Sequence, residues 1–172
     1  MFWLEILFYS ALLYYSAGLL WFILGNLKPE NKLSTTKNNN PFVSVIVAIR
    51  NGAHSLSRLL SDLSLQQYDG DLEFIIVDDK SEDNTAGIIQ EFVSQDKRLK
   101  ITSSDRGSFS LNHKKKALDA GIALSKGEIL LFTDVDCRIK SLWVKSMLEH
   151  FKCGADYVVG FSATRNNGSL VS

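Results

Sequence analysis

The chain has 172 residues, 45% of them hydrophobic and 22% charged, with 19 basic and 19 acidic side chains that cancel. This is a globular composition, which excludes collagen-like, low-complexity and wholly disordered chains. Zero net charge offers no basic footprint for nucleic acid, so none is expected as a partner. The two cysteines, Cys137 and Cys153, are too few for a disulfide framework and lack the spacing of a zinc site, so both read as free thiols.

The average hides an apolar start. Ile6 to Gly25 (ILFYSALLYYSAGLLWFILG) is uncharged, with Ser10 and Ser16 as its polar interruptions. A helix of that length spans roughly 30 Å, enough to cross a hydrocarbon core, and Trp3 and Trp21 stand where interfacial rings are favoured. A cleaved signal peptide would want a basic segment ahead of the apolar run, whereas only Glu5 precedes it. Residues 1–25 therefore read as an uncleaved anchor. Lys28, Lys32 and Lys37 follow it and no Lys or Arg precedes it, which predicts a single-pass protein of the inner membrane with its downstream domain in the cytoplasm. In that compartment Asn167-Gly168-Ser169 reads as a turn rather than a glycosylation site. Residues 26–40, polar and carrying Pro29, read as a tether.

Residues 41–172 change period. Phe42–Ile49 (FVSVIVAI) is a β-branched run suited to a strand buried on both faces. Leu56, Leu59, Leu60 and Leu63 recur at helical spacing. Leu72–Val77 predicts a second strand, and Glu82–Gln95 a helix with Ile88, Ile89, Phe92 and Val93 inward. Leu99–Thr102 predicts a third strand and His113–Leu124 a helix. Glu128–Phe132 is a fourth strand, Leu142–Phe151 a helix with Trp143, Met147 and Leu148 inward, and Asp156–Phe161 a fifth strand. Strands alternating with helices imply an α/β domain with a mostly parallel, Rossmann-like sheet flanked by helices.

Ligands of such sheets sit beyond the carboxyl ends of the strands. Here those ends carry Arg50-Asn51-Gly52, Asp78-Asp79 and Asp134-Val135-Asp136. In an extended segment Asp134 and Asp136 point the same way, roughly 6–7 Å apart. Such a pair suits magnesium or manganese, which take a few carboxylates with water and phosphate oxygens. Ser81 or Asp83 is placed to cap the next helix. Carboxylates at the second strand tip suit ribose or base hydrogen bonds. Neither GxGxxG nor GxxxxGK[ST] occurs, so a diphosphate would rely on a metal and on cations such as Arg50 and the His113-Lys114-Lys115-Lys116 run. Three cations in a helix's first turn oppose its dipole, a cost that an anion would relieve.

Four segments, Val43–Asn51 (VSVIVAIRN), Phe74–Thr85 (FIIVDDKSEDNT), Lys114–Ile122 (KKKALDAGI) and Glu128–Cys137 (EILLFTDVDC), together resemble the donor-binding half of a family-2 glycosyltransferase with the GT-A fold, of the membrane-anchored bacterial type. The chain departs from the pattern at Asp119, where the family usually has Asn. The resemblance implies a nucleotide-diphosphate-sugar donor, a divalent metal (Mg or Mn), inversion at the anomeric carbon, and a glycan or lipid-linked acceptor. It places Ala48, Arg50 and Asn51 around the nucleoside, Asp78 and Asp79 on base and ribose, Lys114 near the nucleotide, Asp134 on the ribose or sugar side, and Asp136 on the metal. The family's catalytic Asp base and Q-x-x-R-W segment match nothing here, which implies a C-terminally incomplete domain, inactive alone. Three readings compete: an inactive membrane-tethered nucleotide-sugar-binding fragment, a sugar-phosphate nucleotidyltransferase, and a dehalogenase-type phosphatase. The second would need a Gly-rich basic loop near the first strand. The third would carry its D-x-D after the first strand, not the fourth.

Overall fold

The computed structural model describes residues 2–26 and 40–161, which fall into two compact units. The expected tether lies mostly outside the described residues. The first unit is one helix, α1 (Phe2–Asn26). Its stretch Phe2–Gly25 is long and apolar enough to cross a membrane, and none of its most apolar window is buried by protein. Apolar side chains face all sides of it rather than one stripe. The Ser10 hydroxyl donates to the Leu7 carbonyl at 2.9 Å, which satisfies it without water.

The second unit is a four-stranded parallel sheet of order β3-β2-β1-β4. Its strands are β1 (Val43–Ile49), β2 (Leu72–Asp78), β3 (Leu99–Ser103) and β4 (Ile129–Phe132), joined by α2 (Ala53–Ser64), α3 (Thr85–Gln95) and α4 (His113–Leu124), with α5 (Trp143–Lys152) following β4. The β-branched runs form the central strands because both faces are covered. Val43, Val45, Val47 and Ile49 meet Leu56, Leu59, Leu60 and Leu63 of α2, Ile89 of α3, and Val144 and Leu148 of α5. On the other face Ile46, Ile75 and Val77 meet Ala117 and Ala120 of α4. Each fully buried Leu or Ile contributes about 1.5–3 kcal/mol by leaving water. Gly121 lets α4 sit close to the sheet, since a Cβ there would lie 2.5 Å from Ile46 Cγ2.

Two expectations are corrected. Asp156–Phe161 forms no strand: it joins no ladder, and Tyr157, Val159 and Phe161 are exposed. Alternating apolar residues supply β propensity, but a strand also needs a partner for its backbone groups. Asp134–Asp136 is not extended either. The last bond toward β1 is from Thr133 N to Ile46 O (3.4 Å), and the chain then turns, with Cys137 N donating to Asp134 O at 3.2 Å. Leaving the sheet frees the backbone from its partner, and the turn closes on itself.

At the opposite, amino ends of the strands, Glu73 is 3% exposed yet satisfied. It accepts from Ser44 Oγ (2.6 Å), Lys126 N (2.7 Å) and Lys100 Nζ (2.5 Å). Burial pushes its carboxyl up, but Lys100 and the other donors outweigh this and hold it below the usual range.

Candidate functional site

Register sets the site. The β1–β2 ladder runs to Ile49 and Asp78, whereas the β1–β4 ladder stops at Ile46 and Phe132. Past β4 the sheet therefore has a notch beside the end of β1. That notch is also where strand order reverses, the switch point at which open α/β sheets bind ligands. A cleft of about 370 Å³ opens there, lined by Ala48, Ile49, Arg50, Asn51, Gly52, His54, Asp79, Lys114, Ala117, Asp134, Val135 and Asp136. Val135 forms its floor against Gly52, where a Cβ would come within 3.1 Å of Val135 Cγ2 and 2.8 Å of Ile49 Cγ2.

Most of the residues singled out from the sequence meet in this cleft: Ala48, Arg50, Asn51, Asp79, Lys114, Asp134 and Asp136. Asp78 does not line it. It ends β2, and its Oδ1 accepts from Ser81 N at 3.2 Å, so it shapes the corner on which Asp79 sits. Lys114 reaches across from α4 to form an ion pair with Asp134. The other two lysines diverge: Lys116 Nζ lies 5.2 Å from the Phe109 ring centroid, and Lys115 is exposed outside the cleft. Asp119 accepts from Ser108 N at 2.8 Å, so the loop before α4 is held by a carboxylate at this position.

Sequence reasoning missed how the loops after β1 and β2 are fastened together. Neither Ser81 nor Asp83 is the N-cap of α3; that position is Asn84, which makes no side-chain capping bond. Ser81 Oγ accepts from Asn51 N (2.9 Å), Thr85 Oγ1 from Gly52 N (3.1 Å), and Asn51 Oδ1 from Glu82 N (2.8 Å). Asp83 spans two helices. Its Oδ2 accepts from Ala53 N (3.1 Å), the first residue of α2, and its Oδ1 from Thr85 N (3.0 Å), the first of α3. The Thr85 hydroxyl beside it, with these amides, holds the Asp83 carboxyl below its ordinary range. The ties also hold Asn51 at φ 52°, a left-handed conformation uncommon outside glycine. The cue was present in Ser81, Asp83 and Thr85, but it pointed only to a local cap, whereas their partners in the β1 loop lie about thirty residues away.

Among the described residues no three His, Cys, Asp or Glu side chains converge as a metal cage. Two carboxylates on one turn are still the hard-oxygen set that magnesium or manganese accepts when substrate phosphate and water complete the shell. The donor set fits a cation completed by a diphosphate.

Residues 44–171 match the family model described as glycosyl transferase family 2. The chain belongs to that family. It is similar to a beta-monoglucosyldiacylglycerol synthase of Trichormus variabilis, with 30% identity over 132 residues that cover 74% of this chain and 28% of that one. It is also similar to a poly-beta-1,6-N-acetyl-D-glucosamine synthase of Staphylococcus epidermidis, with 30% identity over 176 residues covering 96% and 40%. Among solved structures, the mannosyltransferase PcManGT of Pyrobaculum calidifontis, in complex with GDP-Man and Mn2+, is 26% identical with a TM-score of 0.62, over 89% of this chain and 42% of that one. The chain thus spans well under half the length of these relatives. The parallel sheet flanked by helices is the GT-A arrangement expected of family 2.

Proposed function

We propose that this chain forms the donor-binding part of an inverting glycosyltransferase that moves a sugar from a nucleotide-diphosphate sugar to a glycan or lipid-linked acceptor. One observation carries the reading: at the switch point, a single cleft gathers Asp79, Asp134 and Asp136 from the tips of β2 and β4 with Arg50 and Lys114. Lys114 offsets one of these carboxylates, Asp134, and a cation bridging to a diphosphate would offset the repulsion among the rest. The PcManGT complex with GDP-Man and Mn2+ supports the same ligand class.

Ala48, Arg50 and Asn51 line the nucleoside side, and Asp79 accepts from ribose or base donors. Asp78 holds the corner beneath it. Lys114, already oriented by Asp134, contacts the diphosphate, and Asp134 faces the ribose or sugar once Lys114 turns to the phosphate. Asp136 is the ligand for a divalent cation, manganese or magnesium. That cation supplies Lewis-acid charge that stabilises the departing nucleoside diphosphate. The general base, which deprotonates the acceptor hydroxyl, is assigned to no residue here. The apolar α1, followed by Lys28, Lys32 and Lys37, anchors the domain at the cytoplasmic face of the membrane.

The test is calorimetric titration of UDP and GDP into the detergent-solubilised chain, with manganese and with a chelator. Manganese should tighten one nucleotide at least about tenfold, and Asp136→Asn should abolish that gain because an amide is a poor ligand for a hard cation. Equal affinity with and without manganese would refute the metal-bridged reading.

A further inference from the structure

The turn that carries Asp134 and Asp136 lies on the surface, so something other than burial must hold it. Its floor is held by Val135. Its far end is held by α2, through groups remote from the cleft. Arg138 donates to Asp62 through Nε (2.6 Å to Oδ2) and a terminal nitrogen (3.0 Å to Oδ1), a fork-on-fork pair. Ile139 N donates to the same Oδ2 at 3.2 Å. Just past the end of α2, buried Gln66 donates to Lys140 O (2.8 Å) and accepts from Val144 N (3.1 Å), and Gln67 N donates to Ser141 O (2.8 Å). Arg138 and Ile139 are therefore tied to α2 itself, and Lys140 and Ser141 to the segment that directly follows it.

The Asp62–Arg138 pair differs from an ordinary surface ion pair. The Asp62 side chain is only 11% exposed, its carboxylate accepts three hydrogen bonds, and a bidentate guanidinium fixes direction as well as distance. Arg138 follows Asp136 by two residues, so a shift of its backbone moves the Asp136 carboxylate relative to the β1 loop. The opposite rim is held separately: the amides of Asn51, Gly52 and Ala53 donate to Ser81, Thr85 and Asp83, and Asp79 N donates to Ile49 O at 2.7 Å.

We propose that Asp62 is a positioning residue for the donor cleft: through Arg138 and the Ile139 amide it fixes the turn that presents Asp136. The inference rests on the donor-binding reading and adds a specific device to it. Groups that orient a metal ligand from outside the cleft typically account for about 10- to 100-fold in metal affinity. Since Arg138 holds the turn and not the Asp136 carboxylate itself, the lower end applies.

The experiment uses the full 172-residue chain in detergent, with UDP and GDP as probes. Asp62→Ala and Arg138→Ala should each weaken the manganese-dependent nucleotide affinity by about tenfold. Metal-free affinity should stay within about twofold, because the nucleoside side is fastened elsewhere, and the double variant should be no worse than either single change. Arg138→Lys, which keeps the charge without the fork, should recover only part of the loss. As a reading independent of ligand, amide exchange at Cys137, whose N–H closes the turn on Asp134 O, should accelerate in both alanine variants while Thr133 is unaffected. Unchanged Cys137 exchange, or metal-free and metal-dependent affinities falling together, would overturn the proposal. Failure of the unaltered chain to bind manganese with either nucleotide would instead overturn the donor-binding reading, and the exchange data would still report whether Asp62 holds the turn.

Discussion

Lys114→Ala separates a ligand-binding role from a structural one. Lys114 and Asp134 are paired, but their side chains are 58% and 57% exposed, so the pair is worth at most about 1 kcal/mol in solvent. Removing a cation from the first turn of α4 returns a few tenths of a kcal/mol, because a positive charge there opposes the helix dipole. Alanine also favours helix. The net change in stability should therefore lie within about 0.5 kcal/mol, a shift of a few degrees at most in thermal midpoint. Nucleotide binding should behave differently. The variant loses a charge-assisted phosphate contact worth about 1.5–3 kcal/mol and leaves Asp134 uncompensated beside an incoming anion. UDP or GDP affinity in manganese should fall about 10- to 100-fold. Lys115→Ala, one residue on and outside the cleft, should leave affinity within about twofold. Calorimetric titration and thermal unfolding of the three chains decide the matter. Unchanged affinity in Lys114→Ala, an equal loss in Lys115→Ala, or a collapse in thermal midpoint would refute the reasoning.

Two further outcomes follow from the packing. Gly121→Ala places a Cβ 2.5 Å from Ile46 Cγ2 and 3.0 Å from Val77 Cγ2. Overpacking of this kind costs about 1–3 kcal/mol, more than the roughly 1 kcal/mol of helix propensity gained, so denaturant unfolding should move to lower concentration. The carboxyls of Asp62 and Glu73 are both held below their usual range, Asp62 chiefly by Arg138, Glu73 by Lys100 and its other donors against the upward push of burial. A depressed folded-state value gives stability that is complete above the unfolded-state value and lost as pH falls through the folded one. Thermal midpoint should therefore be insensitive to these two groups above about pH 5 and decline below about pH 4, and Glu73→Gln should flatten that decline.

The strands were legible because each is a short apolar-rich run with turn residues at its end, β-branched in the central β1 and β2, a pattern that a sheet buried on both faces imposes. The helices were legible from Leu56, Leu59, Leu60 and Leu63 and their counterparts. Most of the cleft could be read for a related reason: in a parallel sheet the residues just past the strand tips share one rim, so Arg50, Asn51, Asp79, Asp134 and Asp136 converge by topology alone. What failed depended on which partner each group finds once the chain is folded. Asp78 looked equivalent to Asp79 until the Ser81 amide claimed it. Asp83 looked like a local cap; it does hold the first amide of α3, but it also serves the first amide of α2, thirty residues away. Asp62 and Arg138 are 76 residues apart with no local pattern to join them. Asp156–Phe161 has the composition of a strand, but composition does not provide a neighbour for its backbone.

The central claim, that a metal-bound nucleoside diphosphate docks at the notch between β1 and β4, is tested most directly by paramagnetic broadening of backbone amide signals. Manganese with UDP or GDP would be compared with magnesium and the same nucleotide. The account predicts broadening centred on Asn51, Val135 and Asp136, with Glu73 and Gly127 at the other ends of the strands left sharp. Broadening centred on the opposite rim, or none beyond that caused by manganese without nucleotide, would contradict it.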